Sequence, residues 1–255
     1  MKIKMIVTDL DNTLLHTDKT ISSYSKWIFN ECKKMGIKIV FATARPFRNL
    51  ESFTKIIEPD ITICHNGTSA YEGDKLLFSN RIQNNQAIEI LLKLQQIYPT
   101  KELSCEMDET NYANYDITQD YPGYYGLISD FTDMPNKDVD KIIADIENHS
   151  EHIQEIREII SKDLYVEISD NKIAMIMNKI ATKQAGVARI GKRYNISKEN
   201  IVAFGDDYND IGMIEYCSIG VAVANALTQV KAVANYITLT NNMDGVAKFL
   251  EEHIL

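Results

Sequence analysis

The strongest constraint on the fold is a set of short apolar runs that stop abruptly at polar or acidic residues. They recur at both ends of the chain, with a stretch of different character between. Ile3-Lys4-Met5-Ile6-Val7 empties into Thr8-Asp9, residues 37–42 into Thr43-Ala44-Arg45-Pro46, and residues 60–64 into His65-Asn66-Gly67. Between them, Ser22 or Ser23 can cap a helix running to about Met35, with Gly36 at its end, and a second helix fits residues 47–57. Strand, helix, strand, helix, strand at these spacings predicts a parallel sheet covered on both faces. The pattern returns after Thr182: a helix over 183–194, then Ile201-Val202-Ala203-Phe204 running into Gly205-Asp206-Asp207-Tyr208-Asn209-Asp210. Strands at 218–223 and 236–239 and helices near 226–234 and after Asp244 complete it.

The middle reads differently. A hairpin with a Gly-containing turn fits residues 70–78. Beyond it come a long helix from about Gln83, a stretch rich in tyrosine (Tyr112, Tyr115, Tyr121, Tyr124, Tyr125), and a helix over 137–148. Strands are expected at 153–159 and 164–168. The fold class expected is therefore α/β, a Rossmann-like parallel-sheet core from residues 1–82 and 178–255 with an inserted α+β cap domain over 83–177.

Charge narrows the partners. The net charge of -9 and pI near 5.1, with no local basic patch, speak against nucleic acid and anionic membranes. No apolar run approaches the roughly 20 residues a bilayer requires, and the N-terminal run reaches Asp9 too soon for a secretory signal. Cys32, Cys64, Cys105 and Cys217 lie far apart and read as reduced structural thiols, which points to the cytoplasm. The sequence carries no mark of an oligomeric state.

The strand ends collect the chemistry: Asp9 and Asp11, Thr43, and Asp206 with Asp210. In an open parallel sheet, ligands sit beyond the carboxyl ends of the strands, so these distant residues can converge. Several carboxylates in one crevice are tolerable only if protonated or shared by a cation. Oxygen ligands without nearby His or Cys favour a hard ion such as Mg2+. A carboxylate can also attack phosphorus to give an aspartyl-phosphate.

Asp9-Leu10-Asp11-Asn12-Thr13-Leu14, Thr43, Lys183 and residues 205–210 resemble, in order, the four motifs of haloacid dehalogenase-like phosphatases. The likeness continues through residues 220–226 and Asp244-Gly245-Val246-Ala247, and the size and position of the insertion resemble the Cof-type branch. The resemblance implies Asp9 as nucleophile and Asp11 as the acid and base that serves the leaving alcohol and then water. It implies phosphate binding by Thr43, Ala44, Lys183 and Asn209. It also implies Mg2+ held by Asp9, the backbone carbonyl of Asp11 and Asp206, with Asp210 close by. The implied substrate is a small phosphorylated metabolite, sugar phosphates first, with flavin mononucleotide or pyridoxal phosphate behind them. A phosphomutase and a non-catalytic aspartyl-phosphate switch are the alternatives.

Three positions depart from the family pattern. Asn12 stands where Gly is usual, Ala44 where Gly is common, and Gln184 follows the lysine in place of Gly. Asn tolerates positive φ better than most residues, so the first loop can survive. Lys179 lies close enough to Lys183 to compete for its place, and Arg45 can reach the cap, the substrate or an ion pair within the core. His149 and His152, near Glu147 and Glu151, imitate a metal site but read as a solvated acidic helix face.

Overall fold

The computed structural model describes residues 2–99, 102–118, 125–146, 152–169 and 172–255. The chain divides into two compact units, Met1–Phe78 with Thr182–Leu255, and Ser79–Ala181.

The first unit opens with β1 (Met5–Thr8), α1 (Ser23–Lys34), β2 (Lys38–Ala42), α2 (Glu51–Ile57), β3 (Ile61–Cys64), β4 (Ser69–Glu72) and β5 (Lys75–Ser79). The second unit holds α3 (Asn84–Ile97), β6 (Leu103–Met107), β7 (Thr110–Ala113), β8 (Gly126–Ile128), β9 (Lys141–Asp145), α4 (His152–Ile159), β10 (Leu164–Ser169) and β11 (Ile173–Asn178). The chain then returns with α5 (Lys183–Arg193), β12 (Ile201–Gly205), α6 (Ile211–Tyr216), β13 (Ile219–Ala222), α7 (Thr228–Val233), β14 (Tyr236–Ile237) and α8 (Gly245–His253).

The sheet of the first unit runs β14-β13-β12-β1-β2-β3-β4-β5. It is parallel from β14 to β3 and turns antiparallel at β4. Successive residues of β1 serve opposite faces. Ile6 packs with Ile28 and Phe29 of α1 and Val246 and Leu250 of α8, whereas Met5 and Val7 pack with Val187 and Ile190 of α5 and Met213 of α6. Burial on both faces explains why these strands read as unbroken apolar runs. The result is the expected Rossmann-like core, and Asp9, Thr43, His65 and Asp206 each follow directly on the last residues of β1, β2, β3 and β12.

The second unit is α+β, a six-stranded sheet of order β10-β11-β9-β6-β7-β8. Leu103, Cys105, Ile142, Ala144 and Ile176 on one face pack with Ile90, Leu91 and Leu94 of α3 and Ile156 of α4. Two sequence expectations are corrected here. A helix is expected from sequence over 137–148, and Val139, Ile142, Ile143 and Ile146 do fit i, i+3, i+4, i+7. In the structure β9 lies between β6 and β11, and a strand apolar on both faces satisfies that template equally well. A strand is expected from sequence over 153–159, a segment whose isoleucines suit either element, yet α4 forms and buries Ile156 against the core. The pair His149 and His152 falls on residues 147–151, which lie outside the described residues, and on a side chain that is likewise undescribed; Tyr121 and Tyr124 also lie outside them. Tyr112 packs against the core of this unit, while Tyr125 is exposed. All four cysteines are free and buried. Among the described residues no helix is long and apolar enough to cross a membrane.

Candidate active site

Lys183, the first residue of α5, is buried and places its Nζ 2.6 Å from Asp9 Oδ1 and 2.7 Å from Asp210 Oδ1. Thr182 caps that helix by accepting a hydrogen bond from Ala185 N, which fixes where Lys183 begins its turn. Gly67 makes the approach possible. Its φ is 111°, and a Cβ there would lie 2.2 Å from Thr182 O. Lys179, the competing lysine, belongs to the other unit.

Asp210 is fully buried, and its second oxygen accepts hydrogen bonds from the backbone N–H of Asp206 (3.0 Å) and Asp207 (3.2 Å). The carboxylate thus folds its own loop while holding Lys183. Gly205 leaves the room for it, since a Cβ there would stand 2.4 Å from Asp210 Cβ. Asp207 and Asp210 form a capping box at the start of the turn that follows. Asp206 accepts a 2.6 Å hydrogen bond from Thr13 Oγ1, which joins the first and last motifs.

Carboxylate oxygens of Asp9, Asp206 and Asp210 lie within 4.8 Å of one another. Burial, opposed by Lys183 but aided by Asp210, Asp206 and Asp11, raises Asp9 well above the usual carboxylate range. Burial and Asp210 push Asp206 up to about 7. Burial would lower Lys183, but Asp210 and Asp9 outweigh it and hold the ammonium above its ordinary value. A cluster that resists ionisation in this way is relieved by a divalent cation, and its all-oxygen donor set suits a hard one.

Asp11 stands apart from that cluster. Arg45 donates from Nε to Oδ2 (2.6 Å) and from Nη2 to Oδ1 (2.7 Å), and Lys19 Nζ donates to Oδ1 (2.7 Å). Burial opposes them, but the two cations bring Asp11 below its usual range. Between Asp11 and Thr13, Asn12 adopts φ 57°, the left-handed conformation expected of it.

Thr43 is buried, and its hydroxyl accepts from Arg45 N at 3.1 Å; half-buried Ala44 follows it. Asn66 links this loop to the last motif. Its N–H donates to Thr43 O, and its Oδ1 accepts from Asn209 Nδ2 at 3.0 Å. The structure therefore brings Asp9, Lys183, Asp206 and Asp210 into direct proximity and joins Thr43 to Asn209 through Asn66. Thr13 and Lys19 were not singled out from sequence, and Asn66 stood there only as a residue, with Gly67, that fits the Cof-type branch. Of Thr13 and Lys19, only the former carried a signal, its place in the first motif.

The model of the haloacid dehalogenase-like hydrolase family matches residues 6–250. The chain belongs to that family, in its Cof-type branch. It is 28% identical over 265 residues to the 5-amino-6-(5-phospho-D-ribitylamino)uracil phosphatase YitU of Bacillus subtilis, covering 98% of this chain and 97% of that protein. It superposes with a TM-score of 0.88 on BT1666 of Bacteroides thetaiotaomicron, one of the phosphatases of this superfamily, at 24% identity over 98% of this chain and 95% of that one. The subclass IIB sugar phosphatase BT4131 gives 0.86 at 23% identity, covering 98% of each chain. At such identity the two solved structures bear on the fold alone. Family and curated relative together make the chain an enzyme, a phosphatase.

Proposed function

We propose that the chain is a magnesium-dependent phosphatase that hydrolyses a small phosphorylated metabolite, a sugar phosphate foremost, through an aspartyl-phosphate on Asp9. The observation that carries the reading is Lys183 Nζ lodged between buried Asp9 and Asp210, with buried Asp206 beside them. A lysine and three carboxylates without solvent are costly as architecture but apt for an incoming phosphate dianion and a divalent ion. Asp9, Asp206 and the backbone carbonyl of Asp11 would hold Mg2+, with Asp210, already engaged by Lys183 and two N–H groups, behind them. When bound, the ion offsets the repulsion between carboxylate and phosphate.

The residues divide the work. Asp9 attacks phosphorus, the bond to the ester oxygen breaks, and Asp11 gives that oxygen a proton. Asp11 then takes a proton from water, which attacks the phosphorus of Asp9-phosphate and frees both phosphate and the carboxylate. Thr43, Ala44, Lys183 and Asn209 hold the phosphoryl oxygens through hydroxyl, backbone N–H, ammonium and amide. The phosphoribityl substrate in one relative's name is a phosphate ester of a polyhydroxylated chain, which supports a sugar phosphate here.

The test is a screen of phosphorylated metabolites with Mg2+, reading kcat/KM, and repeated with chelator. Steady phosphate release that is led by sugar phosphates and abolished by chelator is the expected result. Phosphate passed only to a sugar bisphosphate acceptor would indicate a mutase, and Asp9-phosphate that survives for minutes would indicate a switch.

A further inference from the structure

Asp11 is held more firmly than a half-exposed carboxylate beside a loop requires. Arg45 grips both its oxygens in a bidentate fork, and Lys19 adds a third hydrogen bond at Oδ1. Each cation is itself secured. Arg45 donates its backbone N–H to Thr43 Oγ1, accepts from His65 N, and stacks its guanidinium 5.2 Å from the Phe53 ring. Lys19 occupies φ 64°, a left-handed conformation unfavourable for a non-glycine residue. Its turn is closed by His16 N donating to Thr20 O and Lys19 N to His16 O. The turn is also fastened to the far end of the chain: Thr17 N donates to Asn242 Oδ1 at 2.9 Å, and His16 Nε2 lies 3.0 Å from Asp244 Oδ1.

A surface ion pair of ordinary kind contributes little to stability and needs no strained lysine or planar fork. The bidentate geometry fixes direction as well as charge. A carboxylate offers about four lone-pair positions. Oδ1 spends both of its own on Arg45 and Lys19, whereas Oδ2 accepts only Arg45 Nε among the described residues.

We infer that Arg45 and Lys19 are positioning residues that aim Asp11, leaving Oδ2 as the oxygen through which its proton moves. The inference rests on the phosphatase reading. Against the effect of burial, Arg45 and Lys19 favour the ionised carboxylate. The proton that Oδ2 gives to the departing oxygen as the phosphorus–ester bond breaks is therefore the one it took from the attacking water of the turnover before. Neither cation needs to touch the phosphoryl group.

Hydrolysis of 2,4-dinitrophenyl, p-nitrophenyl and phenyl phosphate with Mg2+ tests this, reading kcat/KM, which reports the step that expels the leaving group. The poorer the leaving group, the more that step depends on a well-aimed acid. Arg45→Ala should lower kcat/KM for phenyl phosphate about tenfold more than for the dinitrophenyl ester, within the usual span of acid catalysis. Lys19→Asn, which suits the left-handed turn, should shift the series the same way and decides the matter if the arginine variant does not fold. In an Asp11→Asn background Arg45→Ala should add less than about twofold, because the group it aims is gone. An equal loss across the three esters, or losses that multiply with Asp11→Asn, would overturn the inference and give Arg45 to phosphate. If the wild-type protein releases no phosphate from any of the three, the phosphatase reading itself fails and takes this one with it.

Discussion

Lys183 supplies the positive charge on which the buried half of the site depends. Removing it as Lys183→Met leaves Asp9 and Asp210 facing each other without a counter-charge, a change that typically costs about 3–5 kcal/mol. Thermal unfolding should show the loss, and Asp210→Asn added to it should recover part. Asp9→Asn should act oppositely: turnover falls by at least about 10³-fold, as for other nucleophiles. Its melting temperature without metal should hold or rise, because the variant removes a carboxylate that burial disfavours. Near-normal turnover would sink the mechanism. Gly205→Ala places a methyl on the Asp210 side chain and should cost about 1–3 kcal/mol together with activity. The acids at strand ends were legible because four motifs fall in order; a strand-end Asp by itself serves as readily to cap a turn. Arg45 remained ambiguous and Lys19 unnoticed, because cations in loops are common and only contact reveals their targets.

At the scale of elements, the parallel core was readable strand by strand. Burial on both faces writes apolar runs, and the polar residues that end them mark the site. The second unit was harder. Its central β9 imitates a helical spacing and α4 imitates a strand, so pairing partners rather than local pattern decide both. Asp140, just before β9, offers a test of that packing. Burial, opposed by Arg81 at 2.9 Å, pushes it up to about 6. The folded state thus binds the proton more tightly than the unfolded one. Its contribution is full below about pH 4 and is lost as pH rises through about 6. Asp140→Asn should therefore flatten the fall in melting temperature across that window. An unchanged slope would show that Asp140 ionises as it does in water.

At the scale of the whole molecule, residues separated by 174 positions, Asp9 and Lys183, share one hydrogen bond. Binding of Mg2+ to such a site stabilises only the folded chain. At a hundred times its dissociation constant the gain is about 2.7 kcal/mol, readable as a rise in melting temperature. Asp206→Ala should abolish the rise, and a rise that persists would place the ion elsewhere.

β1 lies between β2 and β12. During synthesis β2 follows within a few dozen residues, whereas β12 ends only at Gly205. At ribosomal rates of about 5–20 residues per second, one hydrogen-bonding edge of an apolar strand stays open for on the order of ten seconds or more. Such an edge is a template for pairing with other nascent chains. The topology that brings the last motif to the first therefore leaves the newborn chain dependent on whatever shields that edge, and its yield in the cell should track chaperone supply more closely than the stability of the finished enzyme.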